Sequence, residues 1–423
     1  MKLRENLSQQ FKFFDRGKLL MRYFIFFILA MGLLSAIPRR KSGKRKKTAR
    51  LIFKPRTMAL ENAGSPEMLQ FIQGVKKLSK QGGQEKILII GDSHNQCEDF
   101  GNSLLTFLAD SAAIPVSGRN FVFPYPLART SHRSNMRFFC QKENWKGCRI
   151  TSSSDSCSWG ICGWVAHSIS DSLEFRWQSG QTSLKRNDDI SLFCPAETAA
   201  SYSLFICDSA GAKSELNYSD SKAGFCTRVQ KDCNGISLKA IRKSPGASFM
   251  LQGIGRWPAG EGLSLGISGT NGARLDHYLQ APDLQKHISV LNPGLVILAL
   301  GTNDAFVSDF QEDRLRENLG LLVARIRAAN PKTAILLLGP PDHCRKKGKP
   351  NPATKQVNLV YSQMADELDL VFFNQQTAMG GEGSVMAWRN KGLATADMVH
   401  FTPNGYSLQA KLLGRALAAE LKR

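Results

Sequence analysis

The chain has 423 residues, of which 42% are hydrophobic and 22% are charged, a composition typical of a globular protein that excludes wholesale disorder. The net charge of +21 is concentrated at the amino terminus, because residues 1–60 hold 16 Lys and Arg and only two acidic residues. The rest of the chain carries +7 and has neither zinc-finger spacing nor a basic stripe interleaved with aromatic residues. The sequence therefore predicts no nucleic-acid partner.

Residues 1–60 have the composition of a signal or anchor segment followed by a basic linker. Basic residues precede the apolar run YFIFFILAMGLLSAI at residues 23–37, whose 15 residues suit a signal peptide better than a membrane span. A cleaved peptide and an uncleaved anchor both remain open, because cleavage after Ala36 would place Leu34 where a small residue is preferred. Either form predicts a periplasmic or cell-envelope location, although the basic run at residues 39–47 favours the cytoplasmic side. That run is either a tether to the membrane or cell wall or a solvated linker.

From residue 86 onwards, the sequence alternates short apolar runs with helical patterns. KILIIGDS predicts a buried strand, and apolar residues at helical spacing follow it. The alternation resumes after residue 257, in the order 262–267, LVILALGTND, 314–329, AILLLGPPD, 356–368, LVFFN and 405–421. This pattern predicts a three-layer α/β domain with a parallel sheet, built from residues 61–123 and 258–423.

Residues 124–257 interrupt this alternation. They are rich in Ser, Cys, Gly and aromatic residues, and short runs such as SLEFRW alternate apolar with polar residues. The segment is predicted to be a β-rich insertion between the first two strands, stapled by disulfides and a candidate carbohydrate-binding module. Its tryptophans could stack on sugar rings, but we expect them to pack in the core: Trp159, Trp164 and Trp177.

The chain has ten cysteines, eight of them between Cys140 and Cys233. Neighbouring cysteines lack the spacing of a zinc ribbon, so the set predicts disulfides formed in an oxidising compartment. One connectivity would join neighbours, which are residues 140 with 148, 157 with 162, 194 with 207, and 226 with 233. A further disulfide is predicted between Cys97 and Cys344, because both follow strands that end at the same edge of the sheet.

Three motifs with catalytic potential each follow a predicted strand. Ser93 ends the motif GDS, where it would project from a tight turn with backbone N–H groups of the next helix pointing toward it. Gly272 lies in the glycine-rich turn GTNGA, which can bring a backbone N–H close to a developing oxyanion. Asn303, in GTND, can donate its side-chain amide to the same oxyanion. Each motif alone is also typical of a helix cap or a plain turn.

A fourth motif, DMVH, precedes the closing helix. Asp397 and His400 lie three residues apart on one short loop and can face the same point. His400 would then take the proton of Ser93, while Asp397 orients the imidazole and stabilises its charged form. The four motifs together, in this order and each at a strand end, predict a catalytic serine site.

The sequence resembles the SGNH/GDSL hydrolases over roughly residues 86–123 and 258–420. Asp397 fits the D-x-x-H block of that family, and four further residues occur in the order of its four defining residues: Ser93, Gly272, Asn303 and His400. The stretch GGEGSVMAWRNKGLATADMVHFTPNGY is similar to the periplasmic peptidoglycan O-acetylesterases, which also carry a β-rich insertion. The Cys-rich character of residues 124–257 departs from that subgroup.

The resemblance implies a flavodoxin-like sheet, an acyl-enzyme on Ser93, and no metal or cofactor. It also implies an oxyanion hole built from the N–H groups of Ser93 and Gly272 and the side chain of Asn303. The expected activity is removal of O-acetyl groups from a cell-envelope glycan, peptidoglycan first, so an acetylated glycan is the expected partner. An O-acetyltransferase would use the same residues, and a wall-binding protein with a vestigial esterase site is a third interpretation.

Overall fold

The computed structural model describes residues 53–423, apart from residues 131–133, 135, 153, 155–156, 179, 181–182, 208–212 and 347. The apolar run at residues 23–37 and the basic run at residues 39–47 lie outside the described residues. Within the part of the chain that is described, no helix is both long and apolar enough to cross a membrane.

The elements of the described chain are as follows. The strands are β1 Gln84–Gly91, β2 Val116–Val122, β3 Arg137–Cys140, β4 Lys146–Arg149, β5 Trp164–Ser168, β6 Ser172–Gln178, β7 Asp189–Phe193, β8 Tyr202–Cys207, β9 Lys213–Glu215, β10 Asn217–Ser219, β11 Gly224–Arg228, β12 Gly235–Arg242, β13 Phe249–Leu251, β14 Gly253–Trp257, β15 Gly262–Gly269, β16 Leu295–Ala299, β17 Ala334–Leu338, β18 Cys344–Lys346, β19 Lys349–Pro350 and β20 Val371–Phe373. The α-helices are α1 Pro66–Gln81, α2 Ser93–Gln96, α3 Asp99–Ala112, α4 Ala196–Ser201, α5 Leu275–Leu279, α6 Leu284–Leu291, α7 Glu312–Ala329, α8 Ala353–Glu367, α9 Gln375–Met379, α10 Ser384–Asn390 and α11 Pro403–Lys422. Short 3-10 helices span Lys142–Asn144, Asp220–Lys222 and Asp304–Phe306.

The central sheet orders its strands β10-β11-β7-β14-β2-β15-β1-β16-β17-β20. The six strands from β2 to β20 in this order are all parallel to one another. Within them, β15-β1-β16-β17-β20 is the flavodoxin-like order, in which the chain passes to opposite sides of β1. The predicted α/β fold class is therefore confirmed.

Helices cover both faces of the parallel strands, as the three-layer prediction requires. Successive residues of β1 alternate between the two faces, so Ile87 and Ile89 pack with α1, α3 and α11, whereas Leu88 and Ile90 pack with the α5–α8 side. All four side chains are fully buried. Each contributes about 1.5–3 kcal/mol by leaving water, which explains the uninterrupted apolar run in the sequence.

Strands from residues 124–257 extend this central sheet. β14 pairs antiparallel with β2, and β7, β11 and β10 follow it outward, each antiparallel to its neighbour. The other strands of the segment form a five-stranded sheet, β3-β6-β12-β8-β9, and a three-stranded sheet, β13-β5-β4. The predicted core packing of the tryptophans is confirmed, because all three are at most 9% exposed: Trp159, Trp164 and Trp177.

β2 is not among the strands predicted from the sequence, and the β-rich segment therefore follows the second strand of the parallel sheet, not the first as predicted. Two polar residues, Arg119 and Asn120, hide the apolar character of this strand. Both are buried through long-range partners. Arg119 donates to the carbonyl of Leu265 at 2.9 Å, and Asn120 donates to the hydroxyl of Ser264 at 3.1 Å.

The predicted cysteine pairings are wrong in detail. Among the ten cysteines, all of which are described, one disulfide forms, between Cys148 and Cys157. Cys148 is bonded to Cys157 and is therefore not available to its predicted partner Cys140. The Cys97–Cys344 disulfide is absent as well, and the thiol of Cys97 instead donates to the carbonyl of His94 at 3.4 Å.

Candidate active site

The candidate active site lies at the carboxyl edge of the parallel strands. The last residues of three neighbouring strands are in register there, since Gly91 of β1 pairs with Gly269 of β15 and with Ala299 of β16. The motifs that hold Ser93, Gly272 and Asn303 therefore start from the same level of the sheet. This is the edge at which parallel α/β sheets bind their ligands.

Ser93 is the first residue of the short helix α2, and Asp92 caps that helix. The Asp92 carboxylate accepts a hydrogen bond from the backbone N–H of His94 at 2.9 Å. Because Asp92 satisfies the helix end, the Ser93 hydroxyl does not have to. Ser93 is half-buried, and its Oγ lies 2.9 Å from Nε2 of His400.

His400 and Asp397 complete a hydrogen-bonded chain with Ser93. Nδ1 of His400 lies 2.8 Å from Oδ2 of Asp397, and Nε2 faces the serine. The structure thus brings together the three side chains predicted to be catalytic, in the order nucleophile, base and orienting acid. An imidazole held in this way, with Nδ1–H donated to the carboxylate, presents the Nε2 lone pair to the serine hydroxyl.

The loop around Asp397 is built to hold an ionised carboxylate. Oδ1 of Asp397 accepts hydrogen bonds from the Thr395 hydroxyl at 2.6 Å and from the backbone N–H groups of Val399 and His400 at 2.9 and 3.0 Å. Partial burial raises the pKa of Asp397, but these hydrogen bonds and the one from the His400 ring outweigh it and hold the pKa well below the usual range. Thr395 is a supporting residue that the sequence analysis missed, although its position two residues before Asp397 is a common local hydrogen-bonding pattern.

A hydrogen bond to Asp92 holds the side chain of Asn303 close to the turn that carries Ser93. Its amide nitrogen donates to the carbonyl of Ala273 at 3.0 Å and to the carboxylate of Asp92 at 3.3 Å. The amide therefore joins the β1 turn to the turn that follows β15. Asp92 is fully buried, and burial raises its pKa to about 7 against the hydrogen bond from His94, which lowers it.

Gly272 lies in the tight turn between β15 and α5. Its φ of +80° lies in the left-handed region, which explains why glycine occupies this position. The N–H of Ala273 donates to the carbonyl of Thr270 at 3.0 Å and closes the turn, while the N–H of Asn271 donates to Gln96 of α2 at 3.0 Å. The turn is thus held against the helix that carries Ser93.

Residues 245–408 match the family described as GDSL-like lipase/acylhydrolase, and this segment holds four of the five predicted site residues. The chain contains a GDSL-like hydrolase domain. The family predicted from the sequence motifs is thereby confirmed. Ser93 lies before the matched residues and enters the hydrolase domain through β1 of the same sheet.

Several solved structures are similar to this chain, and one of them shares its fold over most of its length. A peptidoglycan O-acetylesterase is 23% identical with a TM-score of 0.69, over 86% of this chain and 97% of that chain. An acetylxylan esterase from Geobacillus stearothermophilus is 20% identical with a TM-score of 0.28, over 38% of this chain and 73% of its own. A carbohydrate esterase family 3 protein from Talaromyces cellulolyticus is 19% identical with a TM-score of 0.30, over 37% and 71%. A comparison with curated proteins finds no match.

His94 is buried between His400 and Tyr406 and packs against the ring of His400. Its Nδ1 lies 3.1 Å from the hydroxyl of Tyr406, and its ring packs 5.3 Å from the ring of His400. Burial lowers the pKa of His94 well below its usual range, so the ring is neutral beside the proposed base. Tyr406, at the start of α11, is a second supporting residue that the sequence analysis missed.

No group of three or more His, Cys, Asp or Glu side chains is placed to hold a metal ion within the described residues. The polar groups at the carboxyl edge of the sheet instead hydrogen-bond to one another, as the contacts of Ser93, Asn303 and His400 illustrate.

Proposed function

We propose that the GDSL-like hydrolase domain is a serine esterase in which Ser93 is the nucleophile, His400 the general base and Asp397 the orienting acid. The observation that supports this most directly is the continuous chain from Ser93 Oγ to His400 Nε2 at 2.9 Å and from His400 Nδ1 to Asp397 at 2.8 Å. A serine hydroxyl becomes a nucleophile when an adjacent base takes its proton, and both distances suit that transfer.

The reaction proceeds through an acyl-enzyme on Ser93. Ser93 Oγ attacks the ester carbonyl while His400 takes its proton, and the imidazolium then protonates the leaving alcohol oxygen. A water molecule, deprotonated by His400, attacks the acyl group, and the acid leaves as the Ser93 hydroxyl is restored. Transfer to a sugar hydroxyl would use the same residues, and no contact of the described chain favours it over hydrolysis.

The tetrahedral oxyanion is stabilised by the N–H groups of Ser93 and Gly272 and by the amide of Asn303. The shared register of the strand ends supports this assignment, because the three turns that carry the proposed donors start from one level of the sheet. The Asn303 contact with Asp92 is the longer of its two, at 3.3 Å, so it is the one with which an oxyanion would compete. Donors of this kind act mainly in the transition state and raise the rate rather than the affinity.

The proposed substrate is an O-acetylated cell-envelope glycan, with peptidoglycan first. The similarity in fold to a peptidoglycan O-acetylesterase over 97% of that chain supports this choice, as does the stretch at residues 380–406. The proposed location is the cell envelope, with residues 1–60 as the signal or anchor segment.

The test of the serine mechanism uses a fluorophosphonate probe and a chromogenic acetyl ester. We expect the probe to label Ser93, located by mass spectrometry, and Ser93→Ala to lose both labelling and turnover. Ser79→Ala is the matched control, because Ser79 is exposed in α1 and bonds only to a carbonyl of its own helix. Labelling at another serine, or turnover by Ser93→Ala, would rule out the assignment.

A further inference from the structure

A cavity of about 180 Å³ adjoins the proposed oxyanion turn and takes no part in the chemistry described above. It lies between the start of α5, the turn after β16 and the first turns of α7. Its polar lining includes Arg274, Asp276, Asp304 and Arg314, and Phe310 supplies an apolar wall. A cavity of this size, with one aromatic wall and several polar groups, suits a single sugar ring.

The buried side chain in this cavity is Asp304, which is 7% exposed. One of its carboxyl oxygens accepts the backbone N–H of Leu275 at 3.3 Å. The other is buried and has no hydrogen-bond partner among the described residues. Because this oxygen is shielded even from water, it lies behind the cavity surface, and Asp304 shapes the wall without offering a free acceptor to a ligand.

Arg314 supplies the complementary donor at the mouth of the cavity. Arg274 already binds Asp276 through two nitrogens, at 2.9 and 3.0 Å. Arg314 reaches the same carboxylate only at 3.5 Å, and its side chain is 71% exposed. Its planar guanidinium can therefore bind carbonyl or carboxylate oxygens of a ligand without losing a strong internal partner.

Two of the residues that line the cavity closely follow the proposed oxyanion residues in the sequence. Arg274 is two residues beyond Gly272, and Asp304 directly follows Asn303. The two turns that carry the proposed oxyanion donors thus continue into the cavity walls. A sugar bound there would lie next to an acetyl ester positioned at Ser93.

We propose that this cavity is a glycan subsite that binds one sugar residue of the polymeric substrate. The ring face of the sugar packs against Phe310, and Arg314 donates to a carbonyl or carboxylate oxygen on a substituent of that sugar. The proposal rests on the esterase function proposed above, whose substrate it specifies further. It makes Arg314 a specificity residue for polymer over small esters.

The test compares Arg314→Ala with Arg316→Ala on O-acetylated peptidoglycan fragments and on a chromogenic acetyl ester. Arg316 lies on the same helix but bonds to Glu312 and Glu367, away from the cavity. We expect Arg314→Ala to lower the ratio of kcat/KM for the fragments to kcat/KM for the small ester about 10- to 100-fold. Arg314→Lys should recover part of that ratio, and Arg316→Ala should leave it unchanged.

A binding measurement separates failure of the subsite from failure of the esterase. De-O-acetylated fragments are titrated into the full chain carrying Ser93→Ala, with and without Arg314→Ala. We expect Arg314→Ala to weaken binding about 10-fold or more. Equal binding by both proteins, or an equal loss of kcat/KM on both substrates, would overturn the subsite while leaving the esterase proposal intact. If the wild type hydrolysed none of the esters but still bound the fragments through Arg314, the esterase proposal would be overturned and the binding site would stand.

Discussion

Replacement of Asn303 by alanine removes one proposed oxyanion donor and leaves the serine, histidine and aspartate in place. The amide of Asn303 also donates to Asp92 and to the carbonyl of Ala273, so the substitution removes two structural hydrogen bonds. We expect a loss of about 1–3 kcal/mol in the free energy of unfolding. A domain stable by about 5–15 kcal/mol survives such a loss, so the activity of the variant can be measured.

The expected effect on the rate is larger than the effect on folding. Loss of one preorganised donor costs about 2.7–4 kcal/mol in the transition state, which is about 100- to 1,000-fold in kcat. Because the donor acts only once the oxyanion develops, kcat and kcat/KM should fall together while KM changes little. Asn303→Asp should do no better, because it replaces the donating amide by a carboxyl group beside buried Asp92 and the developing oxyanion.

The assay is steady-state hydrolysis of a chromogenic acetyl ester by wild type, Asn303→Ala and Asn330→Ala, with thermal unfolding of all three proteins. Asn330 is a matched control, because it is half-buried and its amide also donates twice, to Asn292 and to the carbonyl of Pro293. It lies at the end of α7, away from the serine. A folded Asn303→Ala variant whose kcat is within a factor of two of wild type would refute the oxyanion role.

Three further predictions concern the orienting acid, a buried carboxyl group and the disulfide. Asp397→Asn should lower kcat for the small ester by up to about 10,000-fold with little change in KM. The side-chain oxygen of the new asparagine would accept the two backbone hydrogen bonds that Oδ1 of Asp397 accepts now. The NH2 group of the asparagine would then face Nδ1 of His400 and favour the wrong tautomer of the imidazole. Burial raises the pKa of Asp304 to about 7, so the folded protein binds this proton more tightly than the unfolded chain and loses stability as the pH rises from about 4 to 7. Thermal unfolding at pH 4 and pH 8 should therefore show Asp304→Asn gaining on wild type by up to about 4 kcal/mol at the higher pH, and a constant difference would contradict the burial argument. Reduction of the Cys148–Cys157 disulfide, which joins residues nine apart, should cost about 2.5 kcal/mol in chemical denaturation, and unchanged stability on reduction would contradict its formation.

The candidate site could be predicted from the sequence because each of its residues lies in a short motif that is recognisable on its own. Asp397 and His400 are three residues apart, and their mutual geometry depends on one short loop anchored by Thr395. Ser93 and Asn303 each follow an apolar run that can only be a buried strand, and parallel strands end at a common edge. Sequence reasoning could therefore place these side chains together, although their catalytic roles stay predictions.

The features that could not be predicted depend on long-range partners. β2 carries buried Arg119 and Asn120, whose hydrogen-bond partners include Leu265 and Ser264, 146 and 144 residues away in sequence. No local pattern marks the strand. The extension of the parallel sheet by β14 and β7 is likewise set by pairing between distant segments. The Cys148–Cys157 disulfide joins consecutive cysteines nine residues apart, and spacing alone does not distinguish this pair from the predicted pair of residues 140 and 148.

The most direct test of the account is acetate release from O-acetylated peptidoglycan by the wild-type chain and by Ser93→Ala, with Ser79→Ala as the control. We expect release by wild type and Ser79→Ala at similar rates and none above background by Ser93→Ala. Release that persists in Ser93→Ala would contradict the proposed nucleophile. Turnover of a small acetyl ester by wild type without any acetate release from peptidoglycan would contradict the proposed substrate and leave the serine mechanism standing.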